Sequence, residues 1–269
     1  MLTPQQVQYF HAFGFLVIRN VLTPQDLEPI GQEFEIGMAE AEADHACRGA
    51  GEREQLVWSN LHPDMPFATG LLEDARCAGV AEQLFGPDVV GLTSGASHFA
   101  GTQSPWHPDT QDKNLFGFKL AFYLQPLDAD SGALRFLPGS HKAPYYDDLF
   151  EVLWPNGDTT GHHVNVPDYP AFVCRTNPGD AVAFNFHVWH ASWGGSTDRR
   201  MVSLQYQKDP TTPDEEASIH KHVQTNEQVM EEFGRDGPFH HPHWVSNPGG
   251  SRLRERWIGK LRDWGYIKT

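Results

Sequence analysis

A chain of 269 residues that is 39% hydrophobic and 12% aromatic has the apolar material for a sizeable core, which excludes a disordered polypeptide. Its formal net charge of −15 argues against nucleic acid or an anionic membrane as partner, because both need clustered Lys and Arg. The three cysteines, Cys47, Cys77 and Cys174, lie far apart and form no C-x-x-C pair, so neither a disulfide framework nor a zinc knuckle is indicated.

The first residues, Met1-Leu2-Thr3-Pro4-Gln5-Gln6, carry no basic leader, and no run approaches the ~18 apolar residues of a membrane span. Ile267-Lys268-Thr269 is not a peroxisomal Ser-Lys-Leu signal, so a cytoplasmic location is expected. Thr3-Pro4-Gln5-Gln6 reads as a helix start, with Thr3 as N-cap, Pro4 at the first helical position and Gln6 closing a capping box. Gly14 can end that helix, and Phe15-Leu16-Val17-Ile18 reads as a short buried strand. Thr23-Pro24-Gln25-Asp26 opens a second helix, with Leu27, Ile30 and Phe34 on one face.

Residues 38–70 are rich in Ala, Glu, Asp and Gly, and are expected to form a long loop or lid. Residues 71–85 have a helical pattern that Gly86-Pro87-Asp88 stops. From Val89 the pattern turns to strands, over 89–100, 104–110, 116–125, 133–137, 171–176, 181–191 and 201–207, with turn residues between them. Such spacing predicts a double-sheet β structure. Residues 144–170 interrupt it with Tyr145, Tyr146, Asp147, Asp148, Trp154, His162 and His163, an inserted segment suited to substrate contacts. Beyond Asp209 the chain is hydrophilic until a short helix over 223–233. A terminal helix over 251–266 carries Leu253, Trp257, Leu261 and Trp264 on one side. Three close histidines, His240, His241 and His243, could bind a metal, but Pro242 disturbs their convergence and a place at the mouth of the site is the expected role.

The chemistry centres on Trp106-His107-Pro108-Asp109 and, far downstream, His190. Side chains two apart on an extended segment share a face, so His107 and Asp109 can grip one ion, and His190, ending an apolar strand-like run, supplies a third donor. Two imidazoles and one carboxylate leave open positions on an octahedral ion, the arrangement of non-haem Fe(II) oxygenases. Any one of 15 histidines is more commonly a packed or surface residue, so the weight rests on the joint pattern. His187 competes for the third position but sits three residues before His190, on the other face of a strand. The same donors could hold Zn(II) or Mn(II) in a hydrolase or isomerase, and a jelly-roll could also serve as a non-catalytic binding module.

The order H-x-D, then Ser131-Gly132-Ala133-Leu134-Arg135-Phe136-Leu137-Pro138-Gly139-Ser140-His141-Lys142, then Gly179-Asp180, His190-Ala191-Ser192 and Arg199-Arg200, resembles the phytanoyl-CoA dioxygenase family over residues 1 to about 208. The resemblance implies a mainly β fold with flanking helices, a double-stranded β-helix or cupin-like jelly-roll barrel. Residues 1–269 then form one domain, with a helical cover over 1–86, a barrel core over 88–208 carrying the 144–170 insert, and a helical segment over 209–269.

It also implies Fe(II), 2-oxoglutarate as cosubstrate and O2, with hydroxylation of an unactivated C–H bond of a small-molecule metabolite and release of succinate and CO2. Related halogenases have a small residue at the position of Asp109, so the aspartate points to hydroxylation or a related oxidation. Arg199 is the implied anchor for the distal carboxylate, with Ser192 as hydroxyl donor, Phe122 packing on the cosubstrate, and Lys119 and Gln103 as polar contacts. The acids and aromatics of the variable segments suit a small polar substrate, cationic or neutral, better than an acyl-CoA.

Overall fold

The structure is a computed structural model and describes residues 1–47, 55–101, 103–160, 164–195, 198–232 and 240–268, with 45–47 and 226–232 described by their backbone alone. The elements run α1 (Pro4–Phe13), β1 (Phe15–Ile18), α2 (Pro24–Cys47), β2 (Gln55–Ser59), α3 (Pro66–Leu71), α4 (Ala75–Phe85), β3 (Val90–Phe99), β4 (Ser104–His107), β5 (Gly117–Tyr123) and β6 (Leu134–Phe136). They continue through α5 (Tyr145–Leu153), β7 (Phe172–Val173), β8 (Ala181–Asn185), β9 (His190–Ser192), β10 (Arg199–Gln207), α6 (Pro213–Glu232), α7 (Pro242–Ser246) and α8 (Arg252–Trp264). The strands form two sheets, one of six in the order β1-β8-β5-β10-β3-β2 and one of four in the order β4-β9-β6-β7. Every paired strand is antiparallel, which with the flanking helices gives the jelly-roll class expected from the sequence.

The amino terminus folds as its residues dictate. Thr3 and Gln6 exchange both hydrogen bonds of a capping box, and Gly14, at φ 86°, takes the left-handed conformation that turns α1 into β1. Strand alternation then divides each central strand of the large sheet between two environments. Phe118, Leu120 and Phe122 of β5, with Val202, Leu204 and Tyr206 of β10, face a core roofed by helices at both ends of the sequence. The opposite faces of the two sheets close on each other around Phe15, Phe136 and Phe184, with Phe15 and Phe136 stacked at 4.7 Å. The terminal helix α8 presents Trp257, Ile258, Leu261 and Trp264 to the helix-side core. It docks closely because Gly91 on β3 has no side chain: a Cβ there would lie 2.6 Å from the Trp257 ring. The Trp257 indole N–H donates to the carbonyl of Val89 at 3.1 Å.

Three expectations are corrected, and a fourth gains detail. Residues 38–47 and 55–70 are no structureless lid, because α2 runs on to Cys47, β2 adds an edge strand to the large sheet, and α3 follows; residues 48–54 of that expected loop lie outside the described residues. The Ala- and Glu-rich stretch after Gly37 combines strong helix formers, and its polar composition concealed that. The run 181–191 is two strands: β8 belongs to the large sheet and β9 to the small one. The chain turns between them where Val188 N–H donates to the carbonyl of Asn185 and the side chain of Asn185 accepts from the N–H of His187. The insert over 144–170 is anchored by α5, whose Tyr146, Leu149 and Leu153 pack with Trp106 and Trp189. His162 and His163 lie outside the described residues. Finally, the hydrophilic stretch after Asp209 contains α6, much longer than the helix expected over 223–233. Cys77 and Cys174 are buried free thiols.

Candidate active site

His107 ends β4 and His190 opens β9, two paired strands in which these residues stand directly opposite each other. Asp109 follows two residues beyond His107. The register therefore brings three donors together: His107, Asp109 and His190 each offer one ligand atom, and these atoms lie within 4.8 Å of one another. The segment is pinned from behind. The Trp154 indole donates to the carbonyl of Trp106 at 2.9 Å, and the Tyr146 hydroxyl donates to the carbonyl of Thr110 at 3.0 Å.

Both rings are oriented by their own backbone. Nδ1 of His107 lies 2.7 Å from the carbonyl of Pro105, and Nδ1 of His190 lies 3.0 Å from that of Val188. A carbonyl can only accept, so each Nδ1 carries the proton and each Nε2 keeps its lone pair for the cavity. Burial pushes His190 down to about 3 and lowers His107 as well, so both rings are neutral at pH 7, the form that binds metals. Burial pulls the Asp109 carboxyl upward, but Lys119 and the two histidines outweigh it and hold the group below the ordinary aspartate range. Lys119 Nζ sits 2.9 Å from Asp109 Oδ1. The site thus offers two neutral nitrogens and one anionic oxygen, a donor set that suits a divalent first-row metal.

The three donors line one cavity of about 630 Å³ between the sheets, within the usual ~300–1,000 Å³ range of small-molecule sites. From β10 it receives Arg199, Met201, Ser203 and Gln205, the alternate set to the residues in the helix-side core. Arg199 is 2% exposed, yet it has no carboxylate partner among the described residues. Its Nη1 donates to the carbonyl of Gly132 at 3.1 Å and to Ser192 Oγ at 2.8 Å, its guanidinium lies 4.4 Å from the Phe99 ring centroid, and its Nε has no acceptor. Burial lowers its pKa, the mark of a cation desolvated without a counter-charge. A buried cation left in that state is costly unless an anion joins it. Gly132 is shaped to this arrangement, since a Cβ there would lie 2.6 Å from Arg199 Nη1.

Of the other residues singled out from sequence, Ser192 lines the cavity beside Arg199, and Lys119 lines it in contact with Asp109. Phe122 is misplaced by one residue: it faces the helix-side core, and its neighbour Tyr123 enters the cavity in its stead. Gln103 is exposed and outside the cavity lining. His187 stays out of the trio, its Nε2 donating to the carbonyl of Asp112 at 2.8 Å. His240 is buried away from the cavity, hydrogen-bonded to the carbonyl of Leu92 at 2.8 Å and stacked on Trp244, while His241 packs on His62. Phe239 of the same motif lies outside the described residues. The cavity wall supplied by β2, including Gln55 and Val57, carries no local signal in the sequence, because it falls in the stretch whose polar composition predicts a loop.

The profile of the phytanoyl-CoA dioxygenase family matches residues 10–202, most of the chain and all three metal-site donors. This chain belongs to that family. It is accordingly an Fe(II)- and 2-oxoglutarate-dependent oxygenase that uses O2. The peroxisomal phytanoyl-CoA dioxygenase of Rattus norvegicus is 22% identical over 233 residues, which cover 77% of this chain and 68% of that protein. Among solved structures, EctD from S. alaskensis in its apoform is similar with TM-score 0.59 and 19% identity, over 79% of this chain and 80% of that one. HygX from Streptomyces hygroscopicus, solved with nickel and 2-oxoglutarate bound, gives TM-score 0.58 and 18% identity, over 78% and 88%. SnoK, a carbocyclase from nogalamycin biosynthesis, gives 0.56 and 18%, over 81% and 90%. At these identities the likeness establishes the shared fold of this oxygenase, and no helix among its described residues is long and apolar enough to cross a membrane.

Proposed function

We propose that this oxygenase hydroxylates an unactivated C–H bond of a small-molecule metabolite, with His107, Asp109 and His190 holding Fe(II) and Arg199 with Ser192 receiving the distal carboxylate of 2-oxoglutarate. The single observation that carries the reading is the pairing, in one cavity, of a three-donor cluster with a buried guanidinium that has no counter-ion among the described residues. A planar guanidinium grips a carboxylate through two parallel hydrogen bonds, and no carboxylate among the described residues pairs with that of Arg199. HygX, of the same fold, was solved with a metal and 2-oxoglutarate together, which accords with this assignment.

When bound, the iron supplies the oxidising chemistry: 2-oxoglutarate and O2 give succinate, CO2 and one oxygen atom for insertion into the C–H bond. The chain's own residues do the rest. The backbone carbonyls of Pro105 and Val188 fix the tautomers of the two histidines, and Lys119 keeps Asp109 anionic and turned toward them. The sheets on either side wall the cavity, so the substrate is aimed by their side chains. Asp109 would occupy a coordination position that a smaller residue would leave open to chloride, which argues for hydroxylation or a related oxidation over halogenation. Related structures include the carbocyclase SnoK and the epimerase SnoN. The test is succinate formation from 2-oxoglutarate with Fe(II) and O2, followed by mass analysis of the product of any stimulating compound. A gain of one oxygen supports hydroxylation, and loss of two hydrogens without oxygen would sink it.

A further inference from the structure

The large-sheet wall of the cavity is built in cross-strand rungs, and these describe the substrate. One rung places Lys119, Gln205 and Thr93 side by side, the next Ala121, Ser203, Gly95 and Ser59, and the next Tyr123, Met201, Ser97 and Val57. Thr93, Ser97 and Ser203 are 4%, 5% and 8% exposed, and all three line the cavity. None of the three hydroxyls has a hydrogen-bond partner among the described residues, and none is sealed off from the cavity, so each is open to a ligand. Gln205 lines the same wall and is likewise without a protein partner there. Gly95, opposite Ser203, leaves a recess instead of a side chain.

The charges of the cavity lining point the same way. Asp109, His107 and His190 belong to the metal, Lys119 is engaged by Asp109, and Arg199 is held for the cosubstrate. No carboxylate among the described lining residues remains for a cationic substrate, and no uncommitted cation remains for an anionic one. A charged group brought here would be desolvated without a partner, a cost of several kcal/mol that a neutral molecule avoids. An acyl chain would fare poorly for the opposite reason, because it would strip water from four polar side chains and return no hydrogen bond.

We propose that the substrate is a neutral polyhydroxylated molecule, of the sugar or cyclitol class, read by Thr93, Ser97, Ser203 and Gln205. A hydroxyl both donates and accepts, and so does each of these side chains, so a polyol satisfies them in several orientations while Met201, Val57 and Tyr123 cover its C–H edges. This rests on the oxygenase reading above, since the metal and cosubstrate roles remove the other charges from the count.

Titration calorimetry on protein loaded with Ni(II) and 2-oxoglutarate tests it, using neutral hexoses, methyl glycosides and cyclitols against amino acids, quaternary ammonium compounds and a fatty acyl-CoA. The expected result is binding by at least one neutral polyol, which also stimulates succinate formation by the Fe(II) enzyme, and none by the charged compounds. Thr93→Val combined with Ser203→Ala should weaken that binding about tenfold, from two lost hydrogen bonds, and Ser97→Ala about threefold. Arg200→Ala on the outer face of β10 serves as the folding control. Binding of a charged compound, or of no polyol at all, overturns the proposal. Binding of 2-oxoglutarate is recorded first in the same instrument, so loss of that signal counts against the oxygenase reading, separately from the choice of substrate.

Discussion

Replacing Arg199 with methionine separates a cosubstrate anchor from a structural cation, because the two roles move stability in opposite directions. In the unliganded protein the guanidinium is 2% exposed and has no carboxylate partner among the described residues. Substituting a buried, uncompensated charge with an apolar side chain of similar length is commonly neutral or stabilising. The metal-loaded variant should therefore melt within a few degrees of wild type, or above it. With 2-oxoglutarate the order reverses. At a concentration about 100 times its dissociation constant a ligand adds ~2.7 kcal/mol, roughly 5–10 °C for a domain of this size. Removing the cation that pairs with its carboxylate costs about 2–5 kcal/mol, a loss in affinity of ~30-fold or more, and that shift should fall to about a third or less. Differential scanning calorimetry with Ni(II), with and without 2-oxoglutarate, measures both effects. Arg200→Met is the control: its guanidinium pairs with Asp198 and Glu35 on the opposite face of the strand, so the cosubstrate shift should persist in full. An undiminished 2-oxoglutarate shift in Arg199→Met would refute the anchor.

Asp109→Ala should abolish turnover and strip the metal, because it removes the one anionic donor and leaves the Lys119 ammonium facing the site. His187→Ala, whose ring faces the carbonyl of Asp112, should keep near-normal metal content by atomic absorption. Gly132→Ala places a Cβ against Arg199 Nη1 in a residue with φ of 90°, so 2-oxoglutarate affinity should fall about tenfold while metal content holds, as read by calorimetry. Acid should weaken the fold well before its carboxylates titrate. His222 and His240 are pushed by burial to about 4 from the ordinary 6.5, so between those values the unfolded chain binds more protons than the folded one and stability drops as pH falls. Thermal melts at pH 7, 6 and 5 should show a steady decline, and a flat profile would contradict the buried neutral rings.

Much of this was legible in the chain because the signals were local. The capping box at Thr3 and Gln6, the H-x-D spacing and the alternation of β10 each follow from short-range geometry, and Arg199 and Arg200 fall on opposite faces as strand periodicity requires. The errors share a different cause. Phe122 was set in the cavity by analogy with the family, when the same alternation that separates Arg199 from Arg200 also separates it from Tyr123. The wall formed by β2 depends on pairing with β3 some 40 residues later, as in Val57 opposite Ser97, and nothing local specifies it. The division of 181–191 into two sheets is decided by where the chain must turn to close the fold, which apolar content alone does not encode.

The close approach of Trp257 to Gly91 separates the unit of descent from the unit of folding. The match to the family profile ends at residue 202, partway along β10, yet the back of the sheet is finished by an indole that arrives more than fifty residues later. A fragment trimmed to the matched segment would retain Asp109, His107, His190 and Arg199, and would lose Leu204 and Tyr206 along with Trp257, Leu261 and Trp264, all part of one continuous core. Chemistry here is inherited through the first three quarters of the chain, and the solidity on which it depends is completed by the last.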